Sequence, residues 1–171
     1  MIRTATLADA DALARIYNHY ITDTIVTFEE EPIDGAEMAA RLADVVAARL
    51  PWIVAEEGGV VVGYAYASRW KARVGYRFSV ESTIYLAQAA TGKGIGTALY
   101  QSLLDLLREG PTHLVIGGIG LPNPASVALH ERLGFEKVAQ FKEVGIKFGT
   151  WIDVGYWQLK LKPESDRGPS A

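Results

Sequence analysis

Residues 84–99 read Ile-Tyr-Leu-Ala-Gln-Ala-Ala-Thr-Gly-Lys-Gly-Ile-Gly-Thr-Ala-Leu, an apolar run, a short polar joint, and three glycines opening a helix. This order constrains the fold more than any other stretch. A helix start leaves its first backbone N–H groups unpaired, and the helix dipole adds partial positive charge there. With Gly92, Gly94 and Gly96 at that start, a phosphate can approach the backbone without meeting a Cβ. The spacing Gly-x-Gly-x-Gly is not the dinucleotide fingerprint Gly-x-Gly-x-x-Gly. The Walker loop is absent too, since Ala87 stands five residues before Gly92 and Gly94 follows Lys93. Taken alone, such a glycine cluster is as readily a flexible surface loop. The strand before it and the amphipathic helix after it favour a phosphate nest.

The rest of the chain alternates strands and helices. A short strand is expected at residues 2–5. A helix capped by Thr6, with Asp9 three residues on, follows to Tyr20 and turns Leu13, Ile16, Tyr17 and Tyr20 inward. A loop over 21–32, with Phe28 embedded, leads to a second helix from Asp34 to about Arg49 with Met38, Leu42, Val45 and Val46 inward. Residues 52–56 and 60–68 read as a hairpin around Gly58-Gly59, and 80–86 as the next strand. The glycine-initiated helix runs from 94 to 109 with Ile95, Leu99, Leu103, Leu106 and Leu107 on one face. A buried strand is expected at 113–118, and Asn123-Pro124 then opens a helix ending at Gly134. Strands at 135–144 and 150–161 close the chain. The expected fold is α/β (α+β): one domain over 1–163, a central mixed, mostly antiparallel sheet with helices on both faces, and a disordered tail at 164–171.

Composition excludes several function classes. A formal net charge of −3 gives no electrostatic reason for nucleic acid or an anionic membrane as partner. With no cysteine and three histidines, none at ligand spacing, neither a thiolate nor a histidine-rich metal site is expected. No stretch approaches the roughly 18 apolar residues of a membrane span, and no secretory signal is visible, so a cytoplasmic location is expected.

The segment Thr91-Gly92-Lys93-Gly94-Ile95-Gly96 resembles the acyl-CoA-binding turn of the GNAT superfamily of N-acetyltransferases, with Thr91 where Gln or Arg is usual. A narrower likeness runs along nearly the whole chain. It is carried by Tyr17-Asn18-His19-Tyr20, Trp70-Lys71-Ala72-Arg73, Val80-Glu81-Ser82-Thr83-Ile84-Tyr85, Gly120-Leu121-Pro122-Asn123, Leu129-His130-Glu131 and residues 149–159. These motifs are similar to those of the phosphinothricin N-acetyltransferase and methionine sulfoximine acetyltransferase branch. The resemblance implies the GNAT fold, acetyl-CoA as acyl donor, a small amine or amino-acid acceptor, no metal, and a homodimer.

Acyl transfer from a thioester to an amine sets four demands, and each has candidates here. The pyrophosphate would be held by the backbone of Gly92, Lys93, Gly94, Ile95, Gly96 and Thr97. The resemblance places Ile84, Tyr85 and Leu86 along the pantetheine arm, pairing with it as another strand would, and the Leu86 N–H would face the thioester carbonyl. Glu81, a carboxylate inside an apolar strand, is either a desolvated base or an edge-strand glutamate facing water; the resemblance favours the base, acting directly or through a water. His130 stands where many relatives in the superfamily carry a tyrosine acting as acid toward the CoA thiolate. As a lone helical histidine it is equally a surface or core residue, and the resemblance implies catalysis. Asn123 is a cofactor contact or simply a helix cap. Lys71, Arg73 and Arg77 form a basic stretch that is either a solvated loop or, as the resemblance implies for Lys71, Arg73 and Tyr76, a wall facing the acceptor. Phe28 covers the pocket or merely anchors its loop. The competing readings are acetylation of protein lysines or N-termini and a silent acyl-CoA-binding module.

Overall fold

The computed structural model describes residues 1–162. The tail expected at 164–171 lies outside the described residues. The chain runs β1 (Ile2–Thr4), α1 (Ala10–Asp23), α2 (Gly35–Ala47), β2 (Trp52–Glu57), β3 (Val60–Arg69), β4 (Ser79–Leu86), α3 (Ile95–Glu109), β5 (Leu114–Leu121), α4 (Pro124–Arg132), β6 (Glu136–Lys147) and β7 (Thr150–Lys160). Seven strands form one sheet in the order β1-β2-β3-β4-β5-β7-β6. Every neighbouring pair is antiparallel except β4 and β5. The element order and the mixed sheet are those expected from the sequence.

Helices cover both faces, and each face has its own core. On one, α1 and α2 bring Leu13, Ile16, Tyr17, Ile21, Met38, Leu42 and Val45 against Trp52, Val54 and Tyr64. On the other, α3 packs Leu99, Tyr100, Leu103, Leu104 and Leu107 on Ile53, Ala65, Val80, Val115 and Trp157, with Val127, Leu129 and Leu133 beside them. Burying this apolar surface on two faces is what flattens the chain into three layers.

Local signals act where the sequence places them, with some shifts. Asp9 accepts from the Thr6 N–H at 2.8 Å and caps a single 3-10 turn at Leu7–Asp9, after which α1 begins at Ala10 and continues to Asp23, past the expected end at Tyr20. Asn123 Oδ1 accepts from the Ser126 N–H at 3.1 Å, the cap expected at the start of α4. Val46 and Leu106, expected inward, are 58% and 42% exposed. At about 100° per residue the buried stripe of α3 runs from Leu99 through Leu103 and Leu107 to Tyr100 and Leu104, and Leu106 falls just beyond its edge.

Candidate active site

The site follows from the one parallel pair. β4 and β5 are joined through Ser79↔Leu114, Val80↔Val115 and Glu81↔Ile116, and the pairing stops there. Beyond it, β4 stays bonded to β3 as far as Leu86 and β5 stays bonded to β7 as far as Leu121, so the two strands part and leave a gap. Two cavities open into this gap. One, of about 560 Å³, lies between the 24–34 loop, β4, β5 and the β6–β7 hairpin; Val26, Thr27, Phe28, Glu81, Thr83, Gly118 and Tyr156 line it. The other, of about 480 Å³, is lined by Leu86, Gly92, Gly94, Gly96, Thr97, Leu129 and Arg132. Both include Val26, Ile84, Asn123 and Ser126. A donor entering from one side and an acceptor entering from the other would meet at these shared residues.

On the second side the glycines behave as a nest. Gly92 and Gly94 have φ of 74° and 80°, the left-handed region that glycine adopts without strain, and a Cβ on either would meet no atom within 4 Å. The first intrahelical bond runs from Ala98 N–H to Gly94 O at 3.1 Å, so the N–H groups of Ile95, Gly96 and Thr97 are left for a ligand. Gly96 serves packing as well, since a Cβ there would come within 3.1 Å of Leu86 Cδ1. Ile95 packs toward the core and Lys93 is exposed. The free donors, positive dipole and open space above them fit the pyrophosphate of an acyl-CoA.

Glu81 lies on the opposite face. Its carboxylate has no hydrogen-bond partner among the described residues, and burial raises its pKa, with the Lys71 ammonium pulling the other way. Gly118 makes the room: a Cβ there would sit 3.3 Å from both Glu81 Oε1 and the Tyr156 ring. The adjacent Gly117, pointing to the other face, does the same for His130, whose Nε2 would lie 2.5 Å from its Cβ. His130 is 4% exposed. Its Nδ1 lies 2.8 Å from Ser126 O, and because a carbonyl only accepts, Nδ1 carries the proton. Nε2 then accepts from Tyr100 Oη at 3.0 Å, and Tyr100 accepts from Ser82 Oγ at 2.6 Å. Burial lowers the pKa of His130, which keeps the ring neutral at pH 7.

The Tyr17-Asn18-His19-Tyr20 motif joins the covering loop to the cofactor side. Tyr17 Oη bonds Thr27 Oγ1 at 2.7 Å and donates to Glu29 at 2.8 Å, while Asn18 bonds both backbone groups of Ile33 at 2.8 and 2.9 Å. His19 bonds Gln88, and Tyr20 bonds Leu86. Phe28, held in this loop, lies over Gly145, where a Cβ would come within 2.3 Å of its ring.

The remaining expected residues are distributed unequally. Tyr85 turns its ring to the first cavity and packs on Tyr17 and Tyr20, 4.9 and 4.8 Å between centroids. Lys71 lies 4.7 Å over Trp70, whose ring meets Tyr156 edge-on. Arg73 and Tyr76 are exposed on the β3–β4 connection and do not line the cavity. Tyr20, Ser82 and Tyr156, which the sequence offers only as members of family-like motifs, join the site, as do Tyr100, the pair Gly117-Gly118 and the β6 lip at Val144–Ile146. Two adjacent glycines inside an apolar strand were the available signal for one of these. Among the described residues no group of three or more His, Asp or Glu side chains is placed to hold a metal ion.

Known proteins share this fold. An acetyltransferase (GNAT) domain model matches residues 2–155. The chain is 45% identical over 163 residues to phosphinothricin N-acetyltransferase of Streptomyces viridochromogenes, covering 92% of this chain and 85% of that one. It is 40% identical over 163 residues to the L-methionine sulfoximine/L-methionine sulfone acetyltransferase of Salmonella typhimurium, covering 94% of each. A phosphinothricin acetyltransferase from Sinorhizobium meliloti, solved with acetyl-CoA, superimposes with a TM-score of 0.95 at 38% identity, covering 99% of this chain and 92% of that one. The chain belongs to the GNAT family. It is an N-acetyltransferase, and its acyl donor is acetyl-CoA.

Proposed function

We propose that this chain acetylates the α-amine of a small amino-acid-like acceptor, of the phosphinothricin, methionine sulfoximine or methionine sulfone type, by direct transfer with Glu81 as base. The observation that carries this reading is the half-buried carboxylate of Glu81, without a hydrogen-bond partner among the described residues, in a cavity that opens on the gap between β4 and β5. Acetyl-CoA supplies the acyl group as a thioester, whose carbon the amine attacks. Glu81, directly or through a water, takes the proton of the acceptor's ammonium and leaves a nucleophilic amine. The backbone N–H of Leu86 stabilises the negative charge that develops on the carbonyl oxygen as the C–N bond forms. His130, neutral with Nδ1 protonated, takes the amine's second proton at Nε2 in place of the Tyr100 hydroxyl and passes it to the departing sulfur as the C–S bond breaks. The nest at Gly92–Thr97 anchors the pyrophosphate, with Asn123 at the mouth of both cavities. Phe28 covers the acceptor side, and Lys71, Arg73 and Tyr76 would reach an acceptor from the exposed β3–β4 connection, outside the cavity lining.

The test is a thiol-release assay across amines. Small α-amino acids and their sulfoximine, sulfone and phosphinate analogues are expected to turn over well above plain amines and lysine peptides. Faster turnover of peptides would transfer the protein to the peptide-acetylating reading, and binding of acetyl-CoA without turnover of any amine would make it a silent acyl-CoA module.

The same reading includes a homodimer. What supports it is the outer strand β6, with the turn after it and the start of β7: Val138, Phe141, Val144, Ile146, Phe148 and Trp151 are each between 47% and 60% exposed. A monomer seldom leaves this many large apolar side chains exposed along one sheet edge in water, and a second copy of the same edge can cover them. Analytical ultracentrifugation is expected to give twice the chain mass of 18.6 kDa, and a monomeric mass at micromolar concentration would remove the dimer.

A further inference from the structure

The hydrogen-bonding sides of β4 alternate along the strand. Ala87 N–H donates to Val62 O at 2.8 Å, and Tyr85 lies opposite Tyr64, so the peptide groups of Ile84 and Leu86 point away from β3. The ladder to β5 has ended at Glu81, and these groups therefore face the gap. At Ile84 no side chain reaches either group. At Leu86 a single atom takes both: Tyr20 Oη donates to Leu86 O at 2.7 Å and accepts from Leu86 N–H at 3.3 Å.

The two bonds are unequal. An O–H···O contact of 2.7 Å is at the optimum, whereas 3.3 Å is beyond the usual range for N–H···O. Tyr20 is also held in place, its ring packed on Tyr85 at 4.8 Å between centroids and its backbone in α1. Burial raises its pKa, so the hydroxyl keeps its proton. The Leu86 carbonyl is thus firmly occupied, while its N–H is free to exchange a weak partner for a better one.

We infer that Tyr20 is a positioning residue: it leaves Leu86 able to donate only, and so sets the register in which an acyl-pantetheine arm pairs with β4. An arm carrying amides along its length could slide by one step on an ordinary strand edge. Here a slipped arm would set an N–H against the occupied Leu86 carbonyl and leave a buried donor unpaired, a costly arrangement. Only the register that brings a ligand carbonyl to the Leu86 N–H satisfies every group. The inference rests on the proposed function, in which the Leu86 N–H meets the carbonyl of the bound donor.

Tyr20→Phe keeps the ring and its packing and removes the hydroxyl alone. Calorimetric titration is expected to give an acetyl-CoA Kd within roughly threefold of wild type while kcat falls about tenfold or more, because part of the bound donor is out of register. Infrared difference spectra of carbonyl-labelled acetyl-CoA read the register without turnover. Wild type is expected to show one hydrogen-bonded carbonyl band, and the variant a second band near the frequency in water. One band with wild-type kcat in the folded variant overturns the inference, and so does a weaker Kd with kcat unchanged, which would be mere loss of packing. Gly94→Val, which puts a side chain into the φ of 80° at the nest, separates the two levels. If that folded variant binds acetyl-CoA as wild type does, the cofactor placement itself falls, and the register with it.

Discussion

Glu81→Gln is expected to lower kcat at neutral pH by roughly 100-fold or more while leaving the Kd for acetyl-CoA near wild type. The amide keeps the size of the carboxylate but takes no proton from an ammonium. Cofactor affinity is spared because the nest at Gly92–Thr97 belongs to the other cavity, across the gap from the Glu81 side chain. The pH profile gives a second signature. The base works ionised, so kcat/KM should fall as pH drops through the Glu81 pKa. Burial raises that pKa, which places the acid limb above the ordinary carboxylate range. The limb should vanish in Glu81→Gln. In Lys71→Met it should move to higher pH, since the Lys71 charge favours the ionised carboxylate. Wild-type turnover by Glu81→Gln across neutral pH would remove Glu81 as the base.

Arg73→Ala is expected to raise the acceptor KM by roughly 30- to 1,000-fold, the equivalent of about 2–4 kcal/mol for a lost charge-assisted pair, with the acetyl-CoA KM nearly unchanged. The argument starts from a mismatch in the cavity. Its lining residues include Glu81 and a neutral His130 but no Lys or Arg, so nothing in the described lining answers the carboxylate of an amino acid. The β3–β4 connection is the adjoining source of positive charge. It begins at Trp70, whose ring meets Tyr156 of the lining, and Lys71 on it already acts on Glu81. Lys71 is engaged with the Trp70 face and Arg77 with the Phe78 ring and the Val74 carbonyl, which leaves the planar fork of Arg73 for bidentate recognition. Decarboxylated acceptors should be poor with wild type and lose little more in the variant. An equal loss for amines with and without a carboxylate would overturn the clamp.

Much of the fold was legible because the signals were local. Glycines at 92, 94 and 96 after an apolar strand and Asn123-Pro124 fixed the starts of two helices, and Gly58-Gly59 a hairpin, each through backbone chemistry that travels with the residue. The errors lie where a neighbour decides. Leu106 is as apolar as Leu103, and only the position of the sheet shows which of them faces it. The helix continues past Tyr20, where Ile21 is fully buried in the core and Tyr20 is bonded to Leu86, a residue 66 positions away. The candidate site divides in the same way. Glu81 stood out as a charge in an apolar strand, whereas Ser82 and Tyr100 looked like ordinary strand and helix residues until the packing of α3 on β4 set their hydroxyls 2.6 Å apart. Gly117 and Gly118 had no visible task in the sequence because the atoms they make room for come from α4, β4 and β7.

The parallel pairing of β4 with β5 has a consequence for how such a protein can change. The chain leaves β4, crosses one face in α3 and returns as β5 in the same direction, so the parallel pairing is built into the connectivity, and the two strands part where that pairing ends at Glu81 and Ile116. The carboxylate, the nest and the open strand edge all sit on that rigid frame. The surfaces proposed to meet an acceptor are lent instead by the 24–34 loop, the β3–β4 connection and the β6–β7 hairpin, each attached to the frame from outside. Selection can therefore rewrite which amine is accepted by altering three appendages, while the acyl-transfer apparatus beneath them is inherited whole.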